Sequence, residues 1–207
     1  MTKIKICGLT NKEDAKEAAR LGADFAGFIF YKRSPRYIEP KDARAIAGTL
    51  PAEVIKVGVF VDERLETISE AARLAGLDMA QLHGEEGPEH CSFVRKRIKV
   101  IKAFRTRDAK DLEKINEYDA DFYLLDTYRE GKPGGTGEAF DWNILSDKRF
   151  SRPVILSGGL RPDNVREAIQ KVSPYGVDVS SGVEKSPGKK DFILMRKFIE
   201  NVRKGKS

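Results

Sequence analysis

Cys7, His83 and Asp126 are a thiol, an imidazole and a carboxylate, and each closes a short apolar run: KIKIC over 3–7, MAQLH over 79–83 and FYLLD over 122–126. A thiolate can take a proton from carbon, a carboxylic acid can give one to oxygen, and an imidazole can do either. Singly, a lone cysteine reads as a small buried hydrophobe and an aspartate after a strand as a cap. Three such groups at matching positions on separate strands instead suggest an acid and base pair around one bound molecule.

A second constellation lies near the C-terminus. The strings ILSGGL (155–160) and VDVSSG (177–182) repeat one plan, an apolar strand that runs into Gly and Ser and then into a helix start. Backbone N–H groups bared in this way suit an anion. Gly158, Gly159, Ser180, Ser181 and Gly182 are therefore the candidate phosphate ligands. Turn geometry at positive φ explains either loop alone. Two such loops at successive strand ends favour a phosphate cup. Arg36, in the loop YKRSPRYIEP (31–40), has the fork geometry to hold a carboxylate, though an arginine in a loop is also ordinary. Lys102 falls in mid-strand, a poor place for a Schiff-base lysine. Cys91 and His90 sit inside a helical pattern and are read as structural. No HxH, CxxC or clustered carboxylate spacing points to a metal, and none is expected.

The elements that must position these groups alternate in type. Strand-like runs occupy 3–7, 25–30, 55–61, 79–83, 99–104, 122–126, 153–157 and 176–180. Helical patterns fill 12–22, 40–50, 64–76, 86–97, 108–118, 140–147, 162–172 and 191–205. Thr10 with Glu13, Pro40 and Pro162 mark helix starts, and Gly22 and Gly76 mark ends. Strict alternation implies a parallel sheet, because parallel neighbours need a crossover between them. Eight units in this length fit an α/β single-domain (β/α)8 TIM barrel over residues 1–207, with a doubly wound open sheet as the rival. In the barrel, Cys7, His83 and Asp126 lie at the C-terminal mouth, and the glycine loops follow strands seven and eight.

Composition restricts the setting. The 207 residues, 40% hydrophobic, can bury one good core. No apolar run approaches the roughly 20 residues of a membrane span, and MTKIKICG is no signal peptide, so a cytoplasmic location and two free thiols are expected. The net charge of +6 fits a nucleic acid or an anionic small molecule. Its residues are spread over helix faces without a nucleic-acid motif, which favours the small molecule.

In order along the chain, KICGLT, GFIFYKRSPRYI, VGVFV, QLHGEE, LLDT, the GGTGEAFDW loop at 134–142, LSGGLRPDNV and VDVSSGVEKSPGKKD resemble the phosphoribosylanthranilate isomerase family of tryptophan biosynthesis. The likeness extends from residue 3 to the last helix. Other phosphate barrels share the glycine loops but not KICG, QLHG and LLDT in this order. The resemblance implies a cofactor-free Amadori rearrangement of N-(5-phosphoribosyl)anthranilate to 1-(2-carboxyphenylamino)-1-deoxyribulose 5-phosphate, an aldose–ketose type of intramolecular oxidoreduction. It makes Cys7 the general base, Asp126 the general acid and Arg36 the ligand of the anthranilate carboxylate. It places His83 and Asp178 on the pocket wall. The partner implied is a small sugar phosphate, with no nucleic acid and no membrane, and the assembly is a monomer or homodimer. Another sugar-phosphate isomerase on the same barrel is the nearest alternative.

Overall fold

The computed structural model describes residues 1–106, 109–126, 142, 145 and 148–205. Eight parallel strands close into a barrel in sequence order: β1 (Lys3–Ile6), β2 (Phe25–Ile29), β3 (Ile55–Phe60), β4 (Met79–Leu82), β5 (Lys99–Arg105), β6 (Phe122–Asp126), β7 (Val154–Ser157) and β8 (Gly176–Val179). Closure is made by β1 against β8, from Lys3 opposite Gly176 to Ile6 opposite Val179, which rules out the open sheet.

Each strand is buried on both faces, as a parallel sheet under helices requires. One set of side chains fills the barrel: Phe25, Val57, Met79, Ile101, Ala103, Leu124 and Ile155. The alternate set, including Ile4, Ile6, Phe28, Phe60 and Leu82, packs outward against helix residues such as Ala15, Ile46 and Ile68. Residues paired across parallel strands point to the same side, so register extends the inward set. Lys5 pairs with Phe25 and Asp178, Gln81 with Val59 and Ile101, and Asp126 with Arg105 and Ser157. The period of two then carries Cys7, His83 and Ser180 inward at the ends of their strands.

The helices are α1 (Lys12–Leu21), α2 (Pro40–Ala47), α3 (Leu65–Ala75), α4 (Pro88–Arg95), α5 (Val165–Val172) and α6 (Phe192–Lys204). Asn11, not Thr10, caps α1: its Oδ1 accepts from Asp14 N at 2.8 Å, while the Thr10 hydroxyl donates to Gly188 O at 2.5 Å. Pro40 stands at the start of α2 as expected. Helix α5 begins at Val165, after a turn from Pro162 in which Asn164 accepts from Arg161 N. The helix expected over 108–118 is replaced by two 3₁₀ turns, Ala109–Leu112 and Ile115–Glu117. Among the described residues of that stretch the buried apolar ones are Leu112 and Ile115, three apart, and a three-residue turn seats both on one line. The helix expected over 140–147 lies outside the described residues except for Trp142 and Leu145. An unforeseen antiparallel hairpin, β9 (Glu184–Ser186) with β10 (Lys189–Lys190), follows β8.

Candidate active site

Two polar clusters occupy the upper barrel. On the β1 and β8 side, the Lys5 ammonium, fully buried, donates to Asp178 Oδ1 at 2.9 Å, and Ser157 Oγ donates to Asp178 Oδ2 at 3.0 Å. Cys7, next above Lys5 on the same face, is 5% exposed. Gly27 on β2 makes room for it, since a Cβ there would stand 2.8 Å from the Cys7 sulfur. Burial pushes the Cys7 thiol up, and Lys5 opposes that shift. The Lys5 ammonium is itself held above its ordinary value, because Asp178 and Cys7 together outweigh burial, the largest single influence on it.

On the far side, three strands round the barrel from β1, His83 Nε2 lies 3.2 Å from Asp126 Oδ2, and Gln81 Nε2 lies 2.7 Å from His83 Nδ1. The Gln81 amide is a donor, so Nδ1 accepts and the ring proton sits on Nε2, from which it is donated to Asp126. Both His83 and Asp126 keep about a fifth of their side chains in contact with the mouth, with 23% and 21% exposure.

The β9–β10 hairpin clips the mouth together. Lys190 Nζ donates to Cys7 O at 2.6 Å, Ser180 O at 3.2 Å and Glu184 Oε1 at 2.8 Å. Glu184 in turn accepts from Arg36 Nε at 2.9 and 3.0 Å and from Arg36 Nη2 at 2.7 Å. Arg36 is therefore not a loose loop cation but one held by a buried carboxylate. Hydrogen bonding by Glu184 raises the Arg36 guanidinium, and burial pulls the Lys190 ammonium below its ordinary value. Although burial works to raise Glu184, its bonds to Arg36 and Lys190 prevail and hold the carboxyl low. Gly8, at φ +73, lets the chain pass beneath Arg36, where a Cβ would lie 2.7 Å from Arg36 Cδ and 3.0 Å from Ser180 Oγ.

The two glycine loops adjoin: a Cβ on Gly182 would strike the carbonyl oxygen of Leu160. Gly158 and Gly159 both adopt positive φ, +91 and +65, and among the described residues nothing comes within 4 Å of a Cβ placed on Gly159. Asn164 Nδ2 donates to Gly159 O at 3.1 Å and steadies the turn. The Ser180 hydroxyl is buried without a hydrogen-bond partner among the described residues. Contrary to the sequence expectation, neither loop runs straight into an α-helix. Beyond β7 the helix waits until Val165, and beyond β8 there is only a 3₁₀ turn, Ser181–Val183.

Of the sequence candidates, then, Cys7 and Asp178 share one cluster through Lys5, and His83 and Asp126 share the other. Lys5, Gln81, Glu184 and Lys190 escaped sequence reading. Lys5 and Gln81 carried a signal in their spacing, two residues before Cys7 and His83 on the same strand face. Lys102, weighed as a Schiff-base lysine, points out of the barrel and is tied to Glu86 Oε2 at 2.7 Å and Gly84 O at 2.8 Å.

A thiol, an imidazole and a carboxylate on inward strand ends, beside glycine loops after the seventh and eighth strands, make up the layout of a (β/α)8 barrel enzyme. Comparison over the whole chain gives the particular family. A family model described as N-(5'-phosphoribosyl)anthranilate (PRA) isomerase matches residues 4–201. An N-(5'-phosphoribosyl)anthranilate isomerase of Rubrobacter xylanophilus is 51% identical over 205 residues, covering 98% of this chain and all of that one. The crystal structure of the phosphoribosyl anthranilate isomerase from Thermotoga maritima superposes with a TM-score of 0.91 at 46% identity, covering 99% of this chain and 100% of that one. A second isomerase structure, described as a complex with reduced 1-(o-carboxyphenylamino)-1-deoxyribulose 5-phosphate, gives 0.88 at 45% identity, with 99% and 100% covered. The chain belongs to the phosphoribosylanthranilate isomerase family.

Proposed function

We propose that the two polar clusters perform the family's Amadori rearrangement, with Asp126 as general acid and Cys7 as general base. The substrate is N-(5-phosphoribosyl)anthranilate. Asp126 delivers a proton to the ring oxygen as the C–O bond breaks, which leaves an open-chain Schiff base. The Cys7 thiolate then takes the proton from the adjacent sugar carbon. That C–H electron pair becomes a C=C bond, the C=N pair moves onto nitrogen, and the resulting enol amine tautomerises to the ketone. His83, with its proton fixed on Nε2 by Gln81, orients the Asp126 carboxyl. Arg36 receives the anthranilate carboxylate. The phosphate rests on Gly158, Gly159 and the Ser180–Ser181–Gly182 turn, where the Ser180 hydroxyl, without a partner among the described residues, offers a donor. Asp178 lines the same pocket.

The observation that carries this reading is the convergence of Cys7 and Asp126, from opposite parts of the chain, on inward positions at one end of a closed barrel. The test is turnover followed by substrate fluorescence. Cys7→Ala and Asp126→Asn are each expected to lower kcat by roughly 10²-fold or more with the fold intact, the scale of a lost proton-transfer group. Near wild-type turnover in either variant would sink its assignment.

For the assembly, a Thermotoga maritima structure described as mutually generated monomers of the dimeric isomerase, TM-score 0.87, speaks of a relative whose parent form is a dimer and supports a homodimer here, which sedimentation of the full chain tests. A cytoplasmic setting is in keeping with two free cysteines, one of them the base.

A further inference from the structure

We propose that Lys5 is the positioning residue that makes Cys7 a competent base, its buried ammonium holding the thiolate while Asp178 keeps that ammonium charged; the inference rests on the reading of Cys7 as the base.

Three cations surround the thiol: Lys5 on the same strand, Lys190 on the hairpin and Arg36 from the loop after β2. One anion, Asp178 on β8, acts on it in the opposite sense. Two of the cations are already engaged. An ammonium has three N–H donors, and those of Lys190 face Cys7 O, Ser180 O and Glu184 Oε1. Arg36 turns Nε and Nη2 onto Glu184. Lys5 gives one donor to Asp178 Oδ1 and, among the described residues, has the others to turn to the Cys7 sulfur next above it on the strand.

A lysine–aspartate pair in a barrel interior is a poor device for stability, since apolar residues of similar volume do as well or better. Its placement suits charge control instead. Burial alone drives Cys7 toward the neutral thiol, a weak base, and Lys5 is the largest influence in the other direction. Asp178 is anchored in turn by Ser157, which leaves Lys5 between two acceptors, one fixed and one that becomes charged in the catalytic cycle. The ammonium gives up no proton. The thiolate takes one from the sugar carbon and becomes a thiol, and Asp178 remains beside Lys5 as its counter-charge.

The experiment titrates the Cys7 thiolate by its ultraviolet absorbance in the full chain, as a difference from Cys7→Ser. Cys91 is present in both proteins and cancels in the difference. Lys5→Met is expected to move the midpoint up by about one pH unit or more and to lower kcat at neutral pH by about tenfold or more, one unit being a factor of ten. KM should hold, and kcat should recover as pH rises through the new midpoint, a recovery that a merely structural role would not give. Should Lys5→Met fail to fold around an unpaired Asp178, the double variant Lys5→Met with Asp178→Asn leaves no lone buried charge and decides the matter. Its midpoint is expected to rise by less, because a repelling anion is lost with the attracting cation. A midpoint that stays or falls, or a kcat loss that pH does not rescue, overturns the role of Lys5. Wild-type turnover in Cys7→Ala would instead overturn the base assignment, while the titration would still report what Lys5 does to the thiol.

Discussion

Glu184→Gln changes one oxygen to nitrogen yet removes the negative charge on which Arg36 and Lys190 converge. The Glu184 side chain is 4% exposed and that of Lys190 is fully buried. Without the carboxylate, the Lys190 ammonium keeps the carbonyls of Cys7 and Ser180 and loses the carboxylate charge bonded to it. Breaking a buried ion pair from one side costs about 3 to 5 kcal/mol. For a chain of this size that is a fall in Tm of roughly 6 to 20 °C, at about 2 to 4 °C per kcal/mol. The loss should vary with pH in a defined sense. Glu184 is held below its ordinary 4.5, so it stabilises the wild type fully above that value, and the contribution fades as pH drops through its lowered folded value. The gap between wild type and variant should therefore narrow in acid. It should narrow in alkali as well, since Lys190, already lowered by burial, can shed its unpaired charge. Arg36 also loses its anchor, so KM should rise. Thermal melts by circular dichroism across pH, with KM from the fluorescence assay, measure both. A variant with Tm within about 2 °C of wild type and an unchanged KM would refute the view that this carboxylate holds the mouth together.

Arg36→Ala should mainly raise KM, by the equivalent of about 1.5 to 3 kcal/mol for a charge-assisted hydrogen bond, and an unmoved KM removes Arg36 from the site. Gly159→Val meets none of the described residues, so its cost to the fold is the left-handed backbone at φ +65, about 1 to 2 kcal/mol, while its methyls stand where the anion should rest. Weaker inhibition by inorganic phosphate together with a higher KM is expected, and unchanged phosphate inhibition argues against the cup. Gly76→Val, at the φ +68 cap of α3, where a Cβ would meet Arg44, should lower Tm and leave both constants alone.

The sequence by itself determined the barrel and the positions of its chemical groups. Hydrophobic periodicity is written within a few residues, so eight strands separated by helical runs could be read locally, and the last residue of each strand followed at once. Cys7, His83 and Asp126 were legible because a period of two fixes which face each one shares. Tertiary structure alone decided who meets whom. Lys5 finds Asp178 across 173 residues, and Arg36 finds Glu184 across 148. Such partners depend on the register in which β1 closes against β8 and on a hairpin whose three-residue and two-residue strands carry almost no local signal. KIKIC misleads for the same reason. Lysines alternating with isoleucines read as a strand with one face in water, but a closed barrel has no such face, and closure carries Lys5 into the dry interior, where its charge must be matched by whatever the neighbouring strand presents at that height.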